Sequence, residues 1–149
     1  MNMNSLEEVL RFAIRKEADA AAFYRMAADR SNPGVKKAFE ELAREEEGHQ
    51  KKLEGFDPKK IQKMKVEKPE GLGIAEWVED VPFSSDMSYA DLLRMAIKNE
   101  EKSESLYTTT ARSVTDPPLR KILMVLAQEE TRHKKRLEKI YDDEVLTEF

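Results

Sequence analysis

The stretch Ala13-Ile14-Arg15-Lys16-Glu17 with Phe23-Tyr24, followed by Glu45-Glu46-Glu47-Gly48-His49, decides the reading of this chain, because it occurs twice. Its second copy is Ala96-Ile97-Lys98-Asn99-Glu100 with Leu106-Tyr107, followed by Glu129-Glu130-Thr131-Arg132-His133. Both histidines of the chain thus stand three residues after a glutamate, on one face of a helix, and each Glu-x-x-His unit follows a helix that carries another glutamate. Four carboxylates and two imidazoles directed at one helical interior are the donor set of a two-metal site.

Working outward, the flanking residues repeat with helical period. Ser5-x-x-Glu8 is a capping box that opens helix 1, whose apolar stripe runs Leu6, Leu10, Ala13, Ile14, Ala20, Ala21, Tyr24, Ala28. Asn32-Pro33 is a cap followed by proline at the first helical position. It opens helix 2, with Val35, Ala38, Phe39, Leu42, Ala43 and Leu53, ending near Gly55. Ser88-x-x-Asp91 opens helix 3, with Leu92, Leu93, Ala96, Ile97, Tyr107, Ala111 and Val114. Asp116-Pro117 opens helix 4, with Leu119, Ile122, Leu123, Leu126, Ala127, Leu137 and Ile140. The halves align at an offset of 83 in the first helix (Glu17 to Glu100) and 84 in the second (Glu46 to Glu130).

A duplicated helical hairpin follows, and with it an all-α, up-down four-helix bundle in one domain over residues 1–149. Hairpin 1 spans about 5–55 and hairpin 2 about 88–142. Between them, about 56–87 differs in character, with Pro58, Pro69, Pro82, Gly71, Gly73 and Trp77. Such a connection is expected where the chain crosses from one end of a bundle to the other. It predicts one short helix at Ile74 to Asp80 and makes helices 2 and 3 parallel neighbours.

Composition agrees. The 149 residues are 38% charged and 40% apolar with five glycines, which suits amphipathic helices. A net charge of −4 gives no reason to expect nucleic acid. The absence of cysteine excludes disulfides, zinc knuckles and cysteine-ligated iron. No signal peptide is recognisable and no apolar run approaches the ~20 residues that span a bilayer, so a cytoplasmic protein without membrane contact is expected.

The six polar candidates fall on the apolar stripes. Glu17 lies between Ile14 and Tyr24, Glu100 between Ile97 and Tyr107, Glu46 and His49 between Leu42 and Leu53, Glu130 and His133 between Leu126 and Leu137. Buried carboxylates so close would repel one another and take up protons unless cations offset them. Imidazole with carboxylate suits iron or manganese that keeps positions free for oxygen species. Tyr24 and Tyr107, two turns beyond a glutamate on the same face, are placed to bond a carboxylate of the opposite half, and plain core packing explains them as well. Glu104, one turn after Glu100, is a candidate seventh ligand, with a solvated glutamate as the alternative. Glu45, Glu47, Glu101 and Glu129 read as solvated helix-surface residues.

These motifs, over nearly the whole chain, resemble the rubrerythrin branch of the ferritin-like superfamily. The resemblance implies a non-haem di-iron centre, with manganese or zinc as alternatives, in a homodimer or larger assembly. Its ligands would be Glu17, Glu46, His49, Glu100, Glu130 and His133, with Glu46 and Glu130 as bridges. Full-length rubrerythrins add a rubredoxin-like domain with four cysteines, and their extra glutamate on helix 3 falls here at Ser103. The expected activity is therefore reduction of hydrogen peroxide or dioxygen with electrons from an external donor. A ferroxidase or iron-handling protein, and a helical interaction module with a structural metal, are the alternatives.

Overall fold

The computed structural model describes residues 5–67, 84 and 86–146. Each long helix begins where the sequence supplies a cap. The side-chain oxygens of Ser5, Asn32, Ser88 and Asp116 accept from the backbone N–H three residues on, at 3.1–3.2 Å. The resulting helices are α1 (Leu6–Asp29), α2 (Pro33–Glu54), α4 (Tyr89–Ser113) and α5 (Pro117–Glu144). A fifth, α3 (Pro58–Gln62), stands at the start of the crossover, capped by Asp57, whose side chain accepts from Lys59 N–H at 3.0 Å. Gly55 ends α2 with φ of −70°, so this stop uses no left-handed residue.

Side-chain pairs set the directions of the helices. Arg25 meets Glu47 across α1 and α2, and Lys134 lies 3.0 Å from Glu101 across α4 and α5. Tyr24 reaches Glu100 while Tyr107 reaches Glu17, so α1 and α4 run antiparallel. Arg136 lies 3.0 Å from Glu41 and Lys52 4.0 Å from Glu129, so α2 and α5 do too. It follows that α2 and α4 are parallel, as expected of a long crossover, but they are not neighbours. Their backbones do not approach, and they occupy one diagonal of the bundle. A pseudo-twofold axis that exchanges the hairpins sets each helix against its own counterpart, which leaves α2 and α4 across the core.

The core divides into two apolar clusters. One gathers Leu6, Leu10, Ala13, Leu53, Leu106, Leu119, Leu123 and Leu126 with Ile61 of α3. The other gathers Ala27, Phe39, Leu42, Leu92, Leu93 and Leu137. Each buried leucine removed from water contributes about 1.5–3 kcal/mol, so both ends of the bundle are well supported. The polar residues of the repeated motif fill the layer between them. The described beginning of the crossover is tied to the turn between α4 and α5. Val66 pairs with Val114, and Glu67 N–H donates to Ser113 carbonyl at 2.7 Å. The short helix expected at Ile74 to Asp80 lies outside the described residues.

Gly48 stands inside α2, and a Cβ built there meets nothing within 4 Å. Gly48→Ala should therefore stabilise the fold by about 0.5–1 kcal/mol through lost backbone entropy in the unfolded chain, measured by denaturant unfolding.

Candidate metal centre

All six repeat residues are buried. Glu17, Glu46, His49, Glu100, Glu130 and His133 are at most 3% exposed. Two overlapping groups of four among them have donor atoms within 4.8 Å of one another, and Glu46, His49 and His133 also lie that close. One is Glu17, Glu46, His49 and Glu130; the other is Glu46, Glu100, Glu130 and His133. Glu46 and Glu130 belong to both. His49 Nδ1 lies 2.8 Å from Glu130 and 3.4 Å from both Glu17 and Glu46. His133 Nδ1 lies 2.9 Å from Glu46, 3.6 Å from Glu100 and 3.8 Å from Glu130. The imidazole rings face each other with centroids 5.6 Å apart and planes 9° apart.

These close atoms do not bond one another. Glu17 Oε2, Glu46 Oε1, His49 Nδ1, Glu100 Oε2, both oxygens of Glu130 and His133 Nδ1 are buried without a hydrogen-bond partner. Orphaned buried polar atoms are rare and costly, of order 1–3 kcal/mol each and more when charged. Seven of them converging on one place is the geometry of donors that share a cation. The other oxygens of Glu17 and Glu100, by contrast, are satisfied. Tyr24 Oη donates to Glu100 Oε1 and Tyr107 Oη to Glu17 Oε1, each tyrosine crossing to the other hairpin.

Two glutamates whose helical positions read as solvated surface meet the far nitrogens of the imidazoles in the same crossed manner. His49 Nε2 bonds Glu129, and His133 Nε2 lies 3.4 Å from Glu45. Both glutamates directly precede a repeat carboxylate. A carboxylate on the far nitrogen orients an imidazole and directs its other nitrogen inward. The doubled acids in Glu45-Glu46 and Glu129-Glu130 carried this signal, but a helix wheel of one chain segment does not show which surface a neighbouring helix covers. Glu104 stands outside both groups. It is half-buried and accepts from Thr108 Oγ1 at 3.3 Å, so the structure gives it no place among the donors. Ser103, three residues after Glu100, is buried.

Comparison with known proteins places this geometry. The family model described as rubrerythrin matches residues 8–71 and 91–148. The chain belongs to the rubrerythrin family. A crystal structure assigned as a ferritin-like diiron-carboxylate protein of Thermotoga maritima shares the fold. Its TM-score is 0.72 at 21% identity, over 95% of this chain and 97% of that one. No relative among curated proteins matches the sequence. No described helix is long and apolar enough to cross a membrane.

The donor set of this rubrerythrin-family chain fits a pair of cations, and its electrostatics show what it does without them. Burial, then Glu17 and Glu100, push the Glu46 carboxyl well above the ordinary carboxylate range. Burial and the other three carboxylates do the same to Glu130. Burial also opposes a charge on His49, but Glu130 and Glu17 outweigh it and push its pKa up to about 11. At Glu100 burial is again opposed, by Glu130, His133 and Tyr24, and the pKa falls below the ordinary value. A further cation lies beside the group. Lys16 of α1 is only 5% exposed, and burial pushes its pKa down to about 8, against Glu100, Glu130 and Glu17, which hold it up.

Glu46, Glu130 and His49 keep protons in the folded, metal-free chain to higher pH than in the unfolded chain. Their contribution is complete below the unfolded pKa values of 4.5 and 6.5 and is lost as pH rises, for His49 through about 11. Metal-stripped protein should therefore unfold at lower denaturant at about pH 9 than at about pH 6. Added divalent metal displaces those protons, so its stabilisation should grow over the same interval.

Proposed function

We propose that this chain is a non-haem di-iron oxidoreductase that reduces hydrogen peroxide or dioxygen with electrons from an external donor. The observation that carries the reading is the convergence of seven unsatisfied, buried donor atoms from both hairpins. Membership of the rubrerythrin family supports iron over other divalent metals. In this reading Glu17, Glu46, His49 and Glu130 would hold one ion and Glu46, Glu100, Glu130 and His133 the other, with Glu46 and Glu130 common to both groups.

A bound iron pair supplies Lewis acidity and a two-electron couple for cleaving an oxygen–oxygen bond. The remaining work falls to the chain. Glu129 bonds the far nitrogen of His49 and Glu45 lies 3.4 Å from that of His133, an arrangement that favours Nδ1 turned inward on both rings. Tyr24 and Tyr107 fix the carboxylates of Glu100 and Glu17 by occupying one oxygen of each and leaving the other for metal. Both phenols keep their protons to pH well above the usual range, because burial and the adjacent carboxylates disfavour phenolate. They are therefore steady hydrogen-bond donors throughout the neutral range. The apolar clusters on either side exclude bulk water and strengthen each of these interactions.

Anaerobic loading with ferrous iron should give about two ions per chain, and addition of peroxide with a chemical reductant should then consume peroxide catalytically. Glu17→Ala with Glu100→Ala should remove at least one ion per chain while circular dichroism keeps its helical signature. Wild-type protein that retains no metal after loading would overturn the reading. Iron oxidation without reductant-driven turnover would move it to iron handling.

A further inference from the structure

The two imidazoles meet the surface through equivalent glutamates, but the surfaces there differ between the repeats. Glu129, bonded to His49 Nε2, lies 4.0 Å from Lys52 and 3.6 Å from Arg132, whose side chains are 50% and 69% exposed. Glu45, beside His133 Nε2, lies 3.2 Å from Arg136, which also reaches Glu41 at 3.0 Å. Two cations thus attend one acid at the His49 end, whereas two acids share one cation at the His133 end. Arg132 also belongs to an exposed stripe along α5, with Lys121, Met124, Gln128 and Lys135, spaced at three and four residues. No acid stands in this stripe. Met124, 41% exposed, is one of two large apolar side chains left to water among the described residues. The stripe's counterparts 84 residues earlier are Lys37, Glu40, Arg44, Gly48 and Lys51, with an acid in the place of Met124 and a glycine in that of Arg132. With Lys52 and Glu129 included, the His49 face sets four cations against one carboxylate. The equivalent Lys37, Arg44, Lys51 and Arg136 meet three, Glu40, Glu41 and Glu45.

We propose that the face formed by Lys52 of α2 with Lys121, Met124, Arg132 and Lys135 of α5 docks an acidic one-electron carrier protein, whose electrons enter through Glu129 and His49. This rests on the di-iron reading above, in which the chain draws electrons from outside. Reducing one hydrogen peroxide to two waters consumes two protons and two electrons. Two carrier molecules are therefore oxidised in successive dockings, and water supplies the protons. The chain has no cysteine with which to hold a relay cluster of its own. Cations grouped around an exposed methionine suit such a partner. The charges steer and orient an acidic surface, and the pliable thioether gives the docked pair an apolar contact. A carrier seated on Arg132 is separated from the donor group by one carboxylate and one imidazole that are bonded to each other. At the His133 end, Glu40, Glu41 and Glu45 would meet an acidic partner with like charge, which disfavours docking there.

The test uses the full-length, iron-loaded, oxidised protein and, as probe, a reduced plant-type ferredoxin, an acidic one-electron carrier. Stopped-flow absorption follows reduction of the centre, with reduced methyl viologen as a small donor that needs no docking face. The rate constant with ferredoxin should fall about tenfold or more as salt rises from about 0.02 M to about 0.3 M. Lys121→Glu with Lys135→Glu should lower it by about tenfold at the lower salt and flatten its salt dependence, while the methyl viologen rate stays within about twofold. Lys36→Glu with Lys37→Glu makes the same change in net charge at the start of α2 and should leave both rates within about twofold. A ferredoxin rate that is absent, or indifferent to salt and to the α5 reversals, while methyl viologen still reduces the centre, would overturn the proposal. So would an equal loss from the α2 reversals. A chain that holds no iron, or a centre that methyl viologen cannot reduce, would instead overturn the di-iron reading itself.

Discussion

The organising constraint of this molecule is the mutual repulsion of four carboxylates enclosed in the middle of a helical bundle. Glu17, Glu46, Glu100 and Glu130 are all removed from water, and an apolar cluster seals each end of their layer. Nothing in the helices requires acids there. Leucine at the same positions would join the two clusters into one continuous core and would cost the fold less. The chain instead spends tyrosines, imidazoles and a lysine on containing the charge, and it still leaves seven donor atoms unsatisfied. Such an arrangement persists where function needs it.

Much of the containment is done across the seams between the hairpins. Tyrosines bridge α1 and α4, and the histidine–glutamate pairs bridge α2 and α5. One seam thus steadies carboxylates and the opposite seam steadies imidazoles. The polar layer therefore joins two halves whose apolar contacts are separated into two ends. A change at Glu45 or Glu129, though partly exposed, reaches the interior through an imidazole.

Much of this was legible in the sequence because the relevant signals are local and repeated. The caps at Ser5, Asn32, Ser88 and Asp116 mark helix starts by chemistry that acts over three residues. The position of the six donors on apolar stripes is a matter of helical period, and duplication doubled the signal. What was not legible depends on which helix meets which. The diagonal placement of α2 and α4 follows from the symmetry of packing and not from the length of the connection. The role of Glu45 and Glu129 depends on a neighbour's register, and Lys16 resembles any lysine of an amphipathic helix until burial is known. The short helix α3 was locally announced, since Asp57-Pro58 repeats the cap-then-proline device, but its five residues are too few to show a period.

The crossed arrangement of the donors bears on how such a chain arose. Each group takes a carboxylate or more from both hairpins, so neither half can close a cation pocket alone. An ancestral peptide of half this length would have gained the chemistry only by associating with an identical copy of itself. Joining two copies in one chain makes such a concentration-dependent encounter permanent. Copies joined in one chain can also differ, and the lysine that stands opposite an asparagine is a difference that no strictly symmetric pair of identical chains could hold.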